Sequence, residues 1–172
     1  MTDSICIRPA TAGDFDARHA LYKALVGEVA VADAAQFAKV LAQSGTTVFI
    51  AEKEGKAVSM ATVHLLENMT YGGRPYALVE NVVTLSKHRG QGLSRAVMRH
   101  IEEVVWAAQG YKIMLLTGRD YGARGFYEAI GYDGEEKVAM IRRRAKPLRR
   151  RRPWPPPLRR GFQRPDRRRS NR

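Results

Sequence analysis

The sequence predicts an α/β chain of 172 residues: one mixed sheet with helices on its faces. Three observations lead there. Apolar residues recur at every second position in some stretches and at every third or fourth in others, and the two periods alternate along the chain. Glycine, proline and aspartate or asparagine clusters separate the stretches at short intervals. A nearly continuous apolar run, Lys112 to Thr117, follows the strongest helical pattern, as expected of a strand buried on both faces.

In order, residues 4–9 read as a short strand ended by Pro9, with Cys6 between Ile5 and Ile7 as a packed strand residue. Thr11 caps a first helix whose opening turns hold Asp14 and Asp16, where the positive end of the helix dipole favours them. Ala34, Phe37, Val40 and Leu41 form one apolar face of a second helix, punctuated by Gly45. Thr47 to Glu52 and Ala57 to Leu66 flank the turn Glu54-Gly55, a hairpin signature. Asn68 to Pro75 is a loop, and Tyr76 to Leu85 resumes strand character. After the loop Lys87–Gly92, the residues Leu93, Ala96, Val97, Ile101, Val104, Val105 and Ala108 mark a long amphipathic helix closed by Gly110. The strand 112–117, a short helix 123–130 ended by Gly131 and a last strand 137–141 complete the order. That last strand would be an edge, able to pair with a second copy as a homodimer.

Charge divides the chain sharply. Residues 1–140 carry 15 basic and 16 acidic side chains, whereas 141–172 carry 15 basic and 1 acidic, so the net charge of +13 belongs to the tail. The body therefore offers nucleic acid nothing in bulk. A domain over 1–143 and an Arg/Pro-rich, low-complexity tail over 144–172 are expected, the tail disordered because it buries too little to offset chain entropy. That tail reads either as an arm for RNA or other anions or as an extension without a role. The absence of aromatic interleaving favours the second. No apolar run approaches the roughly 20 residues of a membrane span, and the first residues lack the basic and apolar regions of a secretory signal. The single cysteine precludes an internal disulfide. A soluble cytoplasmic protein is the expectation. His19, His64, His88 and His100 are scattered without ligand spacing, so no metal is expected; His64 could line an acceptor pocket, but a packed or surface histidine is the reading favoured for it.

The stretch that carries chemistry is Val82-Val83-Thr84-Leu85-Ser86-Lys87-His88-Arg89-Gly90-Gln91-Gly92-Leu93-Ser94. A strand enters a loop with two glycines and the loop opens directly into a helix. Such a loop can bring successive N–H groups to a phosphate, assisted by the unsatisfied donors and partial positive charge of the helix start. Arg89 could add a guanidinium. The motif is neither the dinucleotide fingerprint nor a Walker loop.

Arg89-Gly90-Gln91-Gly92-Leu93-Ser94 resembles the Arg/Gln-x-x-Gly-x-Gly/Ala pyrophosphate loop of the GNAT superfamily of acetyl-CoA-dependent N-acetyltransferases. Ala123-Arg-Gly-Phe-Tyr-Glu-Ala-Ile-Gly-Tyr132 is similar to that superfamily's Ala-x-x-Phe-Tyr-x-x-x-Gly-Phe ending. Glu80-Asn81-Val82-Val83 and Tyr111-Lys112-Ile113 further resemble stretches of glucosamine-phosphate N-acetyltransferases, with Asn81 in place of an aspartate.

The resemblance implies the acyl-CoA N-acyltransferase fold and acetyl transfer to a primary amine, with acetyl-CoA as donor and no metal. It assigns the pyrophosphate to Arg89, Gly90, Gln91, Gly92, Leu93 and Ser94, and the pantetheine chain to backbone groups of Val82, Val83 and Thr84. Asp120 stands where many members carry an asparagine that contacts the pantetheine arm. Tyr127 matches the tyrosine that protonates the leaving sulfur, and Glu80 the carboxylate that faces the amine, as base or substrate ligand. Asn81 could bind substrate but cannot be a base. The acceptor is expected to be a small molecule. A protein or peptide acceptor, with the tail recruiting an acidic partner, and a non-catalytic CoA-binding module are the alternatives. The module is disfavoured by the presence of Tyr127 together with the complete loop.

Overall fold

The computed structural model describes residues 5–27, 31–119, 122–142 and 144. Every element below lies in the first of two units, Met1–Val138 and Ala139–Arg172. Five strands form one sheet in the order β1-β2-β3-β4-β5: β1 (Cys6–Pro9), β2 (Thr46–Lys53), β3 (Lys56–Leu66), β4 (Tyr76–Thr84) and β5 (Ile113–Leu115). The first four run antiparallel in succession, and β5 pairs parallel to β4. A parallel neighbour needs a long crossover, and α3 (Leu93–Ala107) supplies it. Two helices, α1 (Phe15–Val26) and α2 (Ala34–Leu41), lie between β1 and β2 in sequence, and α4 (Arg124–Ala129) follows β5.

The two faces of the sheet carry separate cores. On one, Val97, Met98, Ile101 and Val105 of α3 are fully buried against Phe49, Ala61, Val63, Ala77 and Val79. On the other, Leu21 of α1 packs on Ile50, Met60 and Val83. Truncating one such aliphatic side chain to alanine costs about 2–5 kcal/mol. The β2–β3 hairpin turns through Glu54 and Gly55, both at positive φ (52° and 72°), which matches the twist of the flanking strands. Gly45 does not cap α2, which ends at Leu41. It sits at φ 72°, where a Cβ would stand 2.4 Å from the Leu65 carbonyl oxygen, so only glycine allows β3 to approach. Arg8 of β1 donates to both Asp14 and Glu52, tying the start of α1 to the sheet.

Four expectations are corrected. The chain after Thr11 first makes a 3-10 turn over Ala12–Asp14, and α1 starts only at Phe15. Cys6 is in β1 as expected but exposed: it opens an edge strand of four residues, in which its neighbour Ile7 is the one that packs on the core. The strand read as 112–117 is only Ile113–Leu115 and half-buried, with Leu116 half exposed, since β5 has a strand neighbour on one side alone. Residues 137–141 form no strand, and Val138 is 88% exposed. Strand propensity is not enough without an edge to pair, and β5 offers three residues. The strand that was to meet a second copy is therefore not formed. The expected tail beyond 144, with Arg143, lies outside the described residues.

Candidate active site

The site is built where β4 leaves β5. Their ladder ends at the pair Val79–Leu115, while β4 runs on through Glu80 to Thr84. Among the described residues the β4 edge facing away from β3 has no strand partner from Glu80 onward, so backbone groups there, apart from the Thr84 carbonyl that Arg89 engages, can meet a ligand. The same point carries a β-bulge: Thr62 pairs with Glu80 and Met60 with Val83, so Asn81 and Val82 together face Ala61. Asn81 takes φ 56°, a left-handed conformation that asparagine tolerates better than most residues.

The strand then enters the loop. Ser86–His88 makes a 3-10 turn, and Gly90 and Gly92 adopt φ 76° and 77°. Gly92 is the N-cap of α3, so the amides at its start have no partner within the helix. Neither glycine has an atom within 4 Å of a Cβ built on it, which leaves the space over the loop open. The loop is pinned from below by a hydroxyl chain. Ser94 Oγ lies 2.6 Å from Thr84 Oγ1, which lies 2.7 Å from Ser59 Oγ, and Ser59 donates to the Val83 carbonyl at 3.0 Å. Arg89 Nε donates to the Thr84 carbonyl at 3.2 Å, and the Gln91 carboxamide oxygen accepts from Lys53 Nζ at 3.4 Å. Leu93 turns its side chain into the core, leaving its backbone to the loop.

Tyr127, on α4, packs its ring edge-on against Phe126 and Tyr132, with centroids 5.1 and 6.1 Å apart. Among the described residues its hydroxyl has no hydrogen-bond partner. Partial burial first, and the nearby Glu80 carboxylate second, push the phenol above its ordinary value, so it holds its proton at neutral pH. Glu80 on β4 and Tyr127 on α4 are thus within electrostatic reach of each other, although 46 positions separate them in sequence.

Beside the bulge, residues of α1, α2, β3 and β4 line a half-open cleft of about 350 Å³. Asn81, Thr62, His64, Phe37 and Arg18 are among its walls. His64 therefore does line a pocket, with its Nδ1 at 2.8 Å from Thr46 Oγ1. Arg18 is fully buried, and Thr62 is buried with an Oγ1 that has no partner among the described residues. A signal for Arg18 was present: it stands three residues before Leu21 and so on the buried stripe of α1.

The structure thus brings Glu80, Asn81, Val82, Val83 and Thr84 together on one strand, continues them into Arg89–Ser94, and sets Tyr127 near Glu80. Asp120 lies outside the described residues. Among the described residues no group of three or more His, Cys, Asp or Glu side chains is arranged to hold a metal, and no helix is long and apolar enough to cross a membrane.

Residues 16–132 match the profile of the Acetyltransferase (GNAT) family. A glucosamine 6-phosphate N-acetyltransferase from Trypanosoma brucei brucei is 28% identical over 96 residues, which are 56% of this chain and 64% of that relative, so the chain spans less than two thirds of its length. A solved structure from Agrobacterium tumefaciens, described as an acetyltransferase by assignment, is 41% identical with a TM-score of 0.76, covering 81% of this chain and 100% of its own. An aminoglycoside N-acetyltransferase solved with CoA shares the fold at 18% identity and a TM-score of 0.72, over 84% of this chain and 98% of its own.

Proposed function

This chain belongs to the Acetyltransferase (GNAT) family, and on that premise we propose that it transfers the acetyl group of acetyl-CoA to a primary amine of a small molecule, by direct attack in a ternary complex. The donor fits the residues present. The open β4 edge at Val82–Thr84 can pair with an extended amide-bearing chain, and the uncovered amides of Gly90–Ser94 suit a pyrophosphate. When bound, acetyl-CoA supplies an acetyl group already activated as a thioester.

The chain's own residues do the rest. Backbone donors of the loop, with Arg89 beside them, offset the pyrophosphate charge. The Ser59–Thr84–Ser94 hydroxyl chain holds strand and helix at a fixed distance, so the loop is set before the ligand arrives. Glu80 takes the proton that the ammonium group must lose before its nitrogen can attack. Tyr127 donates its phenolic proton to the sulfur as the carbon–sulfur bond breaks, and the phenol, held above its ordinary value, remains a donor at neutral pH. Asn81 offers its carboxamide to the acceptor from the cavity wall. A cleft of about 350 Å³ is of the size that takes a small molecule.

The observation that carries this reading is the β4 edge that β5 leaves unpaired beyond Val79, running through the glycine loop into the start of α3. Thiol release from acetyl-CoA, measured across a panel of primary amines with acetylated product identified by mass, tests it. Acetyl-CoA binding without product from any amine would favour the non-catalytic module instead.

A further inference from the structure

Arg18 is the least expected side chain in the molecule. It is 0% exposed in the middle of α1, where a permanent positive charge is costly unless something answers it. Its guanidinium is only partly satisfied. Nη2 donates to the Thr11 carbonyl at 2.6 Å, and the planar face rests on the Phe37 ring at 3.8 Å. Among the described residues Nε and Nη1 have no partner. No described carboxylate is bonded to it, although the charge of Asp14 acts on it. Asp14 is engaged by Arg8 at 2.8 Å, and Asp33, which shares the cavity, caps α2 by accepting from the Gln36 amide. Burial accordingly lowers the affinity of Arg18 for its proton, though an arginine keeps it at any physiological pH. Thr62, also on the cavity wall, adds a second buried polar atom without a partner. Asn81 at the bulge lines the same space, so Arg18 and the amine end of the site border one cleft.

We propose that Arg18 is the anion-binding residue of the acceptor pocket and that the amine substrate carries an acidic group, carboxylate or phosphate, which it neutralises. The inference rests on the amine-acetyltransferase reading above and narrows its substrate class to small amino acids, amino-sugar phosphates and compounds of like chemistry. The amine faces Glu80 and Asn81, and the acid reaches into the cavity toward Arg18 and Thr62. Phe37 holds the guanidinium plane while leaving its edges to the ligand.

Matched amines with and without the acid test this: tyrosine against tyramine for a carboxylate, and glucosamine 6-phosphate against glucosamine for a phosphate. The wild-type protein should favour the acid-bearing member of one pair by roughly tenfold or more in kcat/KM, as expected of a buried charge-assisted contact. Which pair responds identifies the acid. Arg18→Met should collapse that ratio toward one, and Arg18→Lys should keep part of it. A merely structural Arg18 predicts the opposite pattern, with both members of a pair slowed in proportion and the ratio intact; that result overturns the proposal, as does a wild-type protein indifferent to the acid. If no amine turns over, the catalytic reading fails but the pocket is still tested by calorimetry. Inorganic phosphate, titrated into protein saturated with CoA so that the loop is filled, should bind the wild-type protein at least about tenfold more tightly than Arg18→Met. Equal behaviour of the two proteins refutes the anion site.

Discussion

Tyr127→Phe separates the chemistry of the site from its architecture. The hydroxyl has no protein partner among the described residues, so removing it leaves no donor or acceptor stranded. The ring contacts with Phe126 and Tyr132 at 5.1 and 6.1 Å persist in phenylalanine, as does the backbone bond from the Tyr132 amide to the Tyr127 carbonyl. Stability should therefore change by no more than about 0.5 kcal/mol. Loss of a general acid costs roughly a hundredfold in rate, which corresponds to about 2.7 kcal/mol of barrier. We expect kcat to fall by that factor while the dissociation constant for acetyl-CoA stays within about twofold. The raised phenol is protonated across the neutral range, so it contributes no loss of activity until pH passes its ordinary value of about 10. An acyl donor with a more acidic thiol should narrow the gap between the two proteins, because a better leaving group needs less help. The assay is thiol release under single-turnover conditions, with the exposed Cys6 subtracted. Full turnover by Tyr127→Phe while chemistry limits the rate would return Tyr127 to a packing role.

Gly92→Val should raise the KM for acetyl-CoA through backbone strain at φ 77° rather than through a clash, since a Cβ there meets nothing within 4 Å; Gly92→Asn should be milder, and calorimetric affinities order the two. Thr84→Val removes the hydroxyl shared by Ser59 and Ser94, leaving Ser59 only its bond to the Val83 carbonyl, and should cost about 1–3 kcal/mol in urea unfolding. Asp14 is held far below the usual carboxylate range, first by its bonds to Arg8, so its contribution is complete above the unfolded value near 4 and disappears as pH falls through the folded one. The stability advantage of wild type over Asp14→Asn should accordingly be present at pH 7 and shrink progressively below about pH 4. Cys6, exposed on an edge strand, should titrate as one thiol in the native protein without denaturant.

What could be read from the sequence was whatever depends on neighbours along the chain. The Glu54-Gly55 turn fixes its own geometry, and the spacing from Leu93 to Val105 places one helix face in the core. Gly90 and Gly92 mark the loop because only a few residues accept their φ values. The misses share a different dependence. Cys6, Leu116 and Val138 carry strand-like neighbours, and their exposure follows from which edges are paired and which faces are covered. Arg18 was passed over because arginine in a helix normally marks a solvent face, yet its register with Leu21 outweighs its residue type. The proximity of Tyr127 to Glu80 came only from resemblance; strand, crossover and short helix must all be in place before it exists.

The bulge at Asn81 explains why these features sit together. Val79 and Val83 are four residues apart and would share one face of a regular strand. Val79 instead packs with α3, and Val83 packs with α1 on the opposite face. The additional residue opposite Ala61 makes that change of side possible. It lets one strand bury apolar residues on both faces while its middle, Glu80 to Val82, stays half-exposed beside the opening left by β5. Straightening it would return Val83 to the α3 side and take its support from the α1 core, on which Leu21 rests one turn from Arg18. The left-handed backbone of Asn81 thus marks the point where β4 changes face, between the edge that β5 leaves unpaired and the cleft that Asn81 and Arg18 line.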